Sequence, residues 1–261
     1  MSTIMDYVNE LKNQRDLLAD ILTEKGVEAS RSEKFNTLIP KVREISGGNN
    51  EFDISGIFGL FTADSIDISS NLWRNELSGY NDIALTGGSK NGAALRLDVN
   101  DYGSFTCIEP NTVYSVVKTP YSTSCDHIIT KALNTLSGSE NYGFNLLQLN
   151  GFLYFSAAGN DTSNTSVSCT DYHVYCYIRN GTNGYFYIDG NFIGTISNCR
   201  TGKYSNLMYL NNESWGGVKL GTSTICDFLM CAFGLTYHNE SIVQKNTAYL
   251  MQKYGLTTTN D

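Results

Sequence analysis

Only three prolines punctuate the 261 residues, and 18 Lys and Arg face 26 Asp and Glu, for a formal charge of −8. That deficit of cations excludes broad contact with nucleic-acid backbones or anionic membranes, which draw clustered Lys and Arg. No stretch approaches the roughly 18 apolar residues of a membrane span. The opening MSTIMDYVNELKNQRD lacks a charged n-region followed by an apolar h-region, so synthesis in the cytoplasm is expected. The seven cysteines contain no C-x-x-C pair, which removes the usual zinc-ribbon and redox spacings. An odd, unclustered set reads as buried thiols, and fits a particle assembled inside a cell better than export through an oxidising pathway.

What is present is aromatic: 17 Tyr and 12 Phe within a 41% hydrophobic composition. Such residues suit the pleated, half-buried surface of strands, and the apolar content suffices for a packed core. The chain is expected to be mainly β, with a helical start. Apolar residues at Ile4, Val8, Leu11, Leu18 and Leu22 alternate four and three apart, a heptad-like seam interrupted by Arg15. The seam predicts self-association or docking through these five side chains, with an amphipathic helix on its own domain as the plain alternative. Gly26 is placed to stop that helix, and Ser30-Arg31-Ser32-Glu33 has capping-box spacing ahead of a second helix through Phe35, Leu38, Ile39 and Val42, which Pro40 should kink. The polar run Ser46 to Asn50 has linker composition. The predicted organisation is a helical segment over 1–46, a linker over 47–51, a β-domain over 52–256 and a tail over 257–261.

Downstream, turn signals recur at short intervals. Asn150-Gly151 lies between two apolar runs, as a two-residue type I′ hairpin requires. A meander is predicted from Tyr172–Arg179, a turn over Asn180 to Gly184, Tyr185–Ile188, Asp189-Gly190, and Phe192–Ile196. Cys226–Tyr237 reads as a central buried strand, and Ser241–Tyr254 as a helix carrying Ile242, Tyr249 and Leu250 on one side, with Gly255 as its stop.

Four segments in order resemble the laminin-G-like branch of the concanavalin A-like lectins and glucanases: Leu72–Asp82 around Trp73 and Glu76, Tyr172-His173-Val174-Tyr175, the hairpin Tyr185–Gly194, and the closing strand and helix Cys226–Leu250. The resemblance implies a jelly-roll β-sandwich. A separate resemblance lies in Glu10–Leu18, Lys25-Gly26-Val27 and Glu33–Val42, which look like a module at the start of fibre proteins of phages of Gram-positive bacteria. It implies a virion component, its N-terminus docked on other virion proteins and its sandwich facing a host surface glycan, with a homotrimer as the expected assembly. A capsid-attached head fibre or decoration protein, and a glycan depolymerase, are the alternatives.

The glucanase relatives carry E-x-D-x-x-E on one strand; here Glu51-Phe52-Asp53 begins that spacing and Gly56 breaks it, so no catalytic residue is assigned. Cys125, Asp126 and His127 are neighbours whose side chains alternate on a strand, and Cys169, His173 and Cys176 split by parity, so neither set predicts a nucleophile pair or a metal site. No cofactor is expected. Some laminin-G-like modules bind calcium at a rim, and Asp161 or Asp171 would be the donors implied. Sugars call for aromatic platforms beside amides and hydroxyls. The segments read as loops that offer these contain Asn160 and Asp161, Tyr204, and Tyr209 to Trp215 with Asn212; Trp215 is the first candidate.

Overall fold

The computed structural model describes residues 4–24, 27–41, 51–106, 110–121, 126–133, 142–157, 160–161, 167–197, 204–215, 218–220 and 224–257. The chain divides into two compact units, Met1–Glu51 and Phe52–Asp261. The predicted linker over 47–50 and the stop at Gly26 lie outside the described residues.

The first unit is a helix pair, α1 (Ile4–Glu24) and α2 (Phe35–Lys41). The Val27 N–H donates to the Leu22 carbonyl five residues back (2.9 Å), the long closure of a Schellman turn. The expected capping interaction forms, with the Ser30 N–H donating to the Glu33 carboxylate (2.8 Å), but it closes a turn ahead of α2, which begins two residues after Glu33. Pro40 falls in the last turn of a helix only seven residues long. Ala19, Leu22, Val27 and Leu38 form this unit's small core, with Leu18 against it. The heptad seam is therefore divided: Leu18 and Leu22 are used within the unit, while Ile4, Val8 and Leu11 are exposed.

The second unit is a sandwich of two antiparallel sheets, as the aromatic-rich, turn-punctuated sequence predicts. The eight-stranded sheet contains β1 (Ile57–Thr62), β5 (Ser89–Asn91), β6 (Ala94–Leu97), β8 (Thr112–Lys118), β13 (His173–Asn180), β14 (Asn183–Ile188), β15 (Asn191–Ile196) and β19 (Cys226–Gly234). Their order is β15-β14-β13-β8-β19-β6-β5, and β1 shares the same side of β19 with β6: β6 pairs with Cys226–Phe228, β1 with Met230–Gly234. The nine-stranded sheet runs β12 (Asn160–Asp161), β11 (Phe152–Ala157), β10 (Tyr142–Leu149), β9 (Asp126–Leu133), β16 (Tyr204–Leu210), β7 (Tyr102–Thr106), β4 (Ile83–Thr86), β3 (Leu72–Trp73) and β2 (Ile66–Asp67). A separate hairpin, β17 (Glu213–Trp215) with β18 (Val218–Leu220), lies against β9.

The main core fills the space between the sheets, with Trp73, Ile83, Phe105, Leu146, Phe155, Met208 and Leu210 from one meeting Phe61, Val117, Phe186, Phe228 and Phe233 from the other. A second core lies beneath α3 (Glu240–Tyr254), whose Val243 and Leu250 cover Tyr114, Val174, Cys176 and Ala232 on the outer face of the eight-stranded sheet. Helix α3 starts at an Asn239 cap on the Ile242 N–H and ends at Gly255 with φ 64°. Its buried side is Val243, Asn246, Thr247 and Leu250; of the three predicted residues only Leu250 is buried. Strand β19 is buried throughout, and a bulge between Phe228 and Met230 switches its facing, so that Cys226 and Phe228 before it and Cys231 and Phe233 after it all enter the main core. The strand ends at Gly234, three residues short of the predicted Tyr237, which is exposed.

The two predicted two-residue turns are present: φ is 54° and 79° at Asn150 and Gly151, and 51° and 80° at Asp189 and Gly190. Between β13 and β14 the turn is tighter than predicted. Asn180 pairs with Asn183, leaving only Gly181 and Thr182 in the bend. Among the described residues no helix is long and apolar enough to cross a membrane.

Candidate functional site

Residues that alternate with core residues stand on the outer face of the nine-stranded sheet. Tyr209 lies between Met208 and Leu210, Ser104 precedes Phe105, and Asn145 precedes Leu146, all four neighbours being core. The strand registers align these positions, by backbone pairing, into one row that crosses the sheet. In order it is Asp161, Ser156, Asn145, Thr130, Tyr209, Ser104 and Ala84. Two predicted residues, Asp161 and Tyr209, share this row. They are four strands apart, roughly 19 Å at the usual strand spacing.

The row is polar and includes one aromatic ring, yet part of it is closed off from water. Tyr209 is buried, its ring centroid 6.3 Å from that of Tyr102. Asn145 is 0% exposed, and neither its amide oxygen nor its amide nitrogen has a hydrogen-bond partner. A primary amide offers two donors and two lone pairs, and leaving them unpaired in a buried place costs about 1–3 kcal/mol per group. Native folds keep such groups where water or a ligand completes them. Asn212, two residues past the end of β16, repeats the pattern: 1% exposed, both amide atoms unpartnered.

Of the candidate residues read as loop, all but Asn212 lie in strands. Tyr204 and Tyr209 belong to β16, Asn160 and Asp161 to β12, and Trp215 to β17. Hydroxyl- and amide-rich sequence suggested coil, but in a sheet with one outward face Tyr209 belongs to the outward half of an alternation whose inward half is Met208 and Leu210. The side-chain placements of Tyr204, Asn160, Asp161 and Trp215 lie outside the described residues.

A second site went unpredicted. On the outer face of the eight-stranded sheet, Arg96, Asp227 and Lys118 sit directly across from one another on β6, β19 and β8. Arg96 grips Asp227 with two bonds, Nε to Oδ1 at 2.8 Å and Nη2 to Oδ2 at 2.9 Å, and Asn91 Nδ2 adds a third at 3.1 Å. Bonding to that carboxylate raises the guanidinium pKa of Arg96. The Lys118 ammonium stands over the Tyr172 ring, 4.6 Å from its centroid. Burial, with Asp227 adding to it, pushes the Tyr172 phenol up to about 12, so its hydroxyl keeps its proton at neutral pH. Arg96, Lys118 and Asp227 border a pocket of about 250 Å³ with Thr119, Pro120, Thr170 and Ile225. The signal available in sequence was a charge set between apolar neighbours on three strands, Leu95-Arg96-Leu97, Val117-Lys118 and Cys226-Asp227-Phe228.

The remaining sequence candidates separate. His173 Nδ1 lies 2.6 Å from Asp189, whose other oxygen accepts the Val174 N–H, so this histidine buttresses the β14–β15 turn. Cys169 belongs to the main core and Cys176 to the core under α3. Among the described residues no group of three or more His, Cys, Asp or Glu comes together, and Asp171 is exposed without a carboxylate cradle for calcium. Cys125 lies outside the described residues, whereas His127 on β9 is buried.

No protein-family model and no curated protein matches the sequence. Solved structures do resemble the fold. A Trypanosoma rangeli sialidase in complex with sialic acid aligns over 79% of this chain and 34% of its own, at 12% identity and TM-score 0.62. The binding domain of botulinum neurotoxin DC, in complex with rat synaptotagmin II, aligns over 79% and 53%, at 14% identity and TM-score 0.55. A botulinum neurotoxin type C structure, described by the dependence of cell entry on two ganglioside molecules, aligns over 75% and 51%, at 13% identity and TM-score 0.55. The chain thus spans about a third to a half of these structures, and what they share with it is the β-sandwich.

Proposed function

We propose that this chain is a non-catalytic glycan-binding protein that receives sugar on the outer face of its nine-stranded sheet, around Asn145, Tyr209 and the row they share. The observation that carries the reading is the Asn145 amide, wholly buried with both polar atoms unpartnered, in a row of hydroxyl, amide and aromatic residues. The carbohydrate ligands named for the sialidase and the type C neurotoxin are in keeping with it. Three of the carboxylates serve as acceptors for the fold: Asp227 for Arg96, Asp189 for His173 and the Val174 N–H, Asp67 for Ser69, Ser70 and Arg74.

Replacing Asn145 by Leu tests this directly. Stability is expected to stay level or rise, because an apolar side chain of similar size removes the unpaired amide. Affinity for a bacterial cell-wall polysaccharide, read by calorimetry on the full chain, is expected to fall at least about tenfold, the worth of one or two ligand hydrogen bonds. Unchanged affinity in N145L would overturn the site, and release of reducing ends from the polysaccharide would replace binding by depolymerisation.

The setting that the N-terminal resemblance supports is a virion fibre, docked through its helical segment and assembled as a trimer. Ile4, Val8 and Leu11, with Tyr7 beside them, leave α1 an exposed apolar side for either contact. Avidity would then come from several weak heads acting together. Light scattering is expected to give a trimer for the full chain and a monomer for a fragment beginning at Glu51. A monomeric full chain would remove the trimer and leave docking alone.

A further inference from the structure

The Arg96–Asp227–Lys118 arrangement has an obvious structural use, since opposite charges directly across a ladder stabilise it. That use accounts for Arg96 and Asp227. Lys118 faces Asp227 across the ladder as well, but its ammonium forms no ion pair with a carboxylate among the described residues and is instead held over Tyr172, which the ladder pairing does not require. Nor does that pairing account for Thr119. This residue is 2% exposed, its Oγ1 has no hydrogen-bond partner, and it lines the pocket beside Lys118. Valine would fill the same volume without an unpaired buried hydroxyl, so the hydroxyl is a cost the fold carries at this position.

The charge count favours an anion. Two cations and one carboxylate line the pocket, and that carboxylate is spent: Oδ1 is taken by Arg96, Oδ2 by Arg96 and Asn91. One positive charge is left over, in a chain whose net charge is −8. A single excess charge matches a monoanion. The volume of about 250 Å³ lies below the roughly 300 Å³ at which pockets for drug-sized ligands begin, which suits one six-membered ring and not an oligosaccharide chain. Hydroxyls at Thr119 and Thr170 and the apolar edges of Pro120 and Ile225 suit the mixed surface of a sugar.

We propose that this pocket binds a single carboxylate-bearing sugar, with Lys118 taking the carboxylate and Thr119 Oγ1 a carboxylate or ring oxygen. It lies on the opposite sheet from the Asn145 row, shares no residue with it, and does not rest on that reading.

The test is titration of the full chain, by calorimetry or ligand-observed NMR, with glucuronate, galacturonate, glucose and inorganic phosphate. Saturable binding of at least one uronate is expected, with glucose at least tenfold weaker and phosphate failing to compete. Thr119→Val is expected to keep or raise the melting temperature and to weaken uronate binding at least tenfold, as is Lys118→Met. N145L should bind uronate as the native chain does, whatever it does to polysaccharide binding. Absence of saturable binding by both uronates, equal binding of glucose, or native affinity in Thr119→Val would each overturn the proposal. Phosphate binding that displaces the uronate would overturn the carboxylate assignment in favour of a phosphate site.

Discussion

Replacing Asn211 by Ala is expected to lower the unfolding free energy of the sandwich by about 3–5 kcal/mol, while the same change at the next residue, Asn212, shifts it by no more than about 0.5 kcal/mol. The two asparagines are equally buried, at 1% exposure each. They differ in what their amides meet. Asn211 Nδ2 lies 3.1–3.4 Å from the carbonyls of Asp101, Asp98, Leu97 and Thr224, and its Oδ1 accepts from the Cys226 thiol at 3.2 Å. One NH2 group thus ties the turn after β6 to the segment entering β19. Its backbone sits at φ 54°, which Asn tolerates and Ala does not, a difference of roughly 1–2 kcal/mol. The truncation also strands buried carbonyls, at about 1–3 kcal/mol per lost partner. Asn211→Gly should recover the backbone part alone. Asn211→Asp should be at least as damaging as Ala, because it turns an acceptor-only group toward four carbonyls. Asn212 has no such partners to lose. Urea midpoints of the four variants against the native chain measure all of this; equal losses at the two positions would mean that the Asn212 amide is paired, and would weaken the case for unsatisfied amides as ligand groups.

That contrast marks where the sequence was legible. Local chemistry could be read: Asn-Gly and Asp-Gly as tight hairpins, Gly255 as the end of α3, Cys226 onward as a buried strand. Each depends on the preferences of a few adjacent residues. Register between distant strands could not be read. Asp161 and Tyr209 were both candidates, but only pairing through β11, β10 and β9 puts them in one row with Asn145, a residue no local pattern singled out. The proposed uronate pocket draws on residues 96, 118–120, 170, 225 and 227, so its existence depends on three strands lying side by side. The heptad seam left its own use open for a similar reason. An apolar stripe of this length serves a second chain or the chain's own α2 equally well, and here Leu18 and Leu22 go to the latter.

Trp73 was legible only through family resemblance, and it governs the second large effect. The residue sits on a strand two residues long, where propensity carries little information. Its ring is 0% exposed between Phe61 and Phe228, at 5.8 and 6.3 Å, and its Nε1 donates to the Thr62 carbonyl at 2.6 Å. It thus joins β3 of one sheet to β1 and β19 of the other. Trp73→Ala is expected to cost about 3–5 kcal/mol for the cavity, and roughly 1 kcal/mol more for the orphaned carbonyl. A domain of ordinary stability, about 5–15 kcal/mol, would be left marginal. Trp73→Phe keeps most of the packing and loses the bond, so about half that loss is expected. Trp215 remains as the sole indole in both variants, so its fluorescence follows the sandwich through a denaturant titration without a second reporter. Helical circular dichroism from the first unit should outlast the sandwich transition in W73A if the two units fold independently. Because β3 also pairs β4 and, through it, β7 and Ser104, the mutation loosens the edge that leads to the proposed sugar row. Polysaccharide binding is therefore expected to fail at lower denaturant than in the native chain, in step with the Trp215 signal. A loss under 1 kcal/mol in W73A would show instead that this indole does not hold the sheets together, and the edge strands would then be free to vary without disturbing the face.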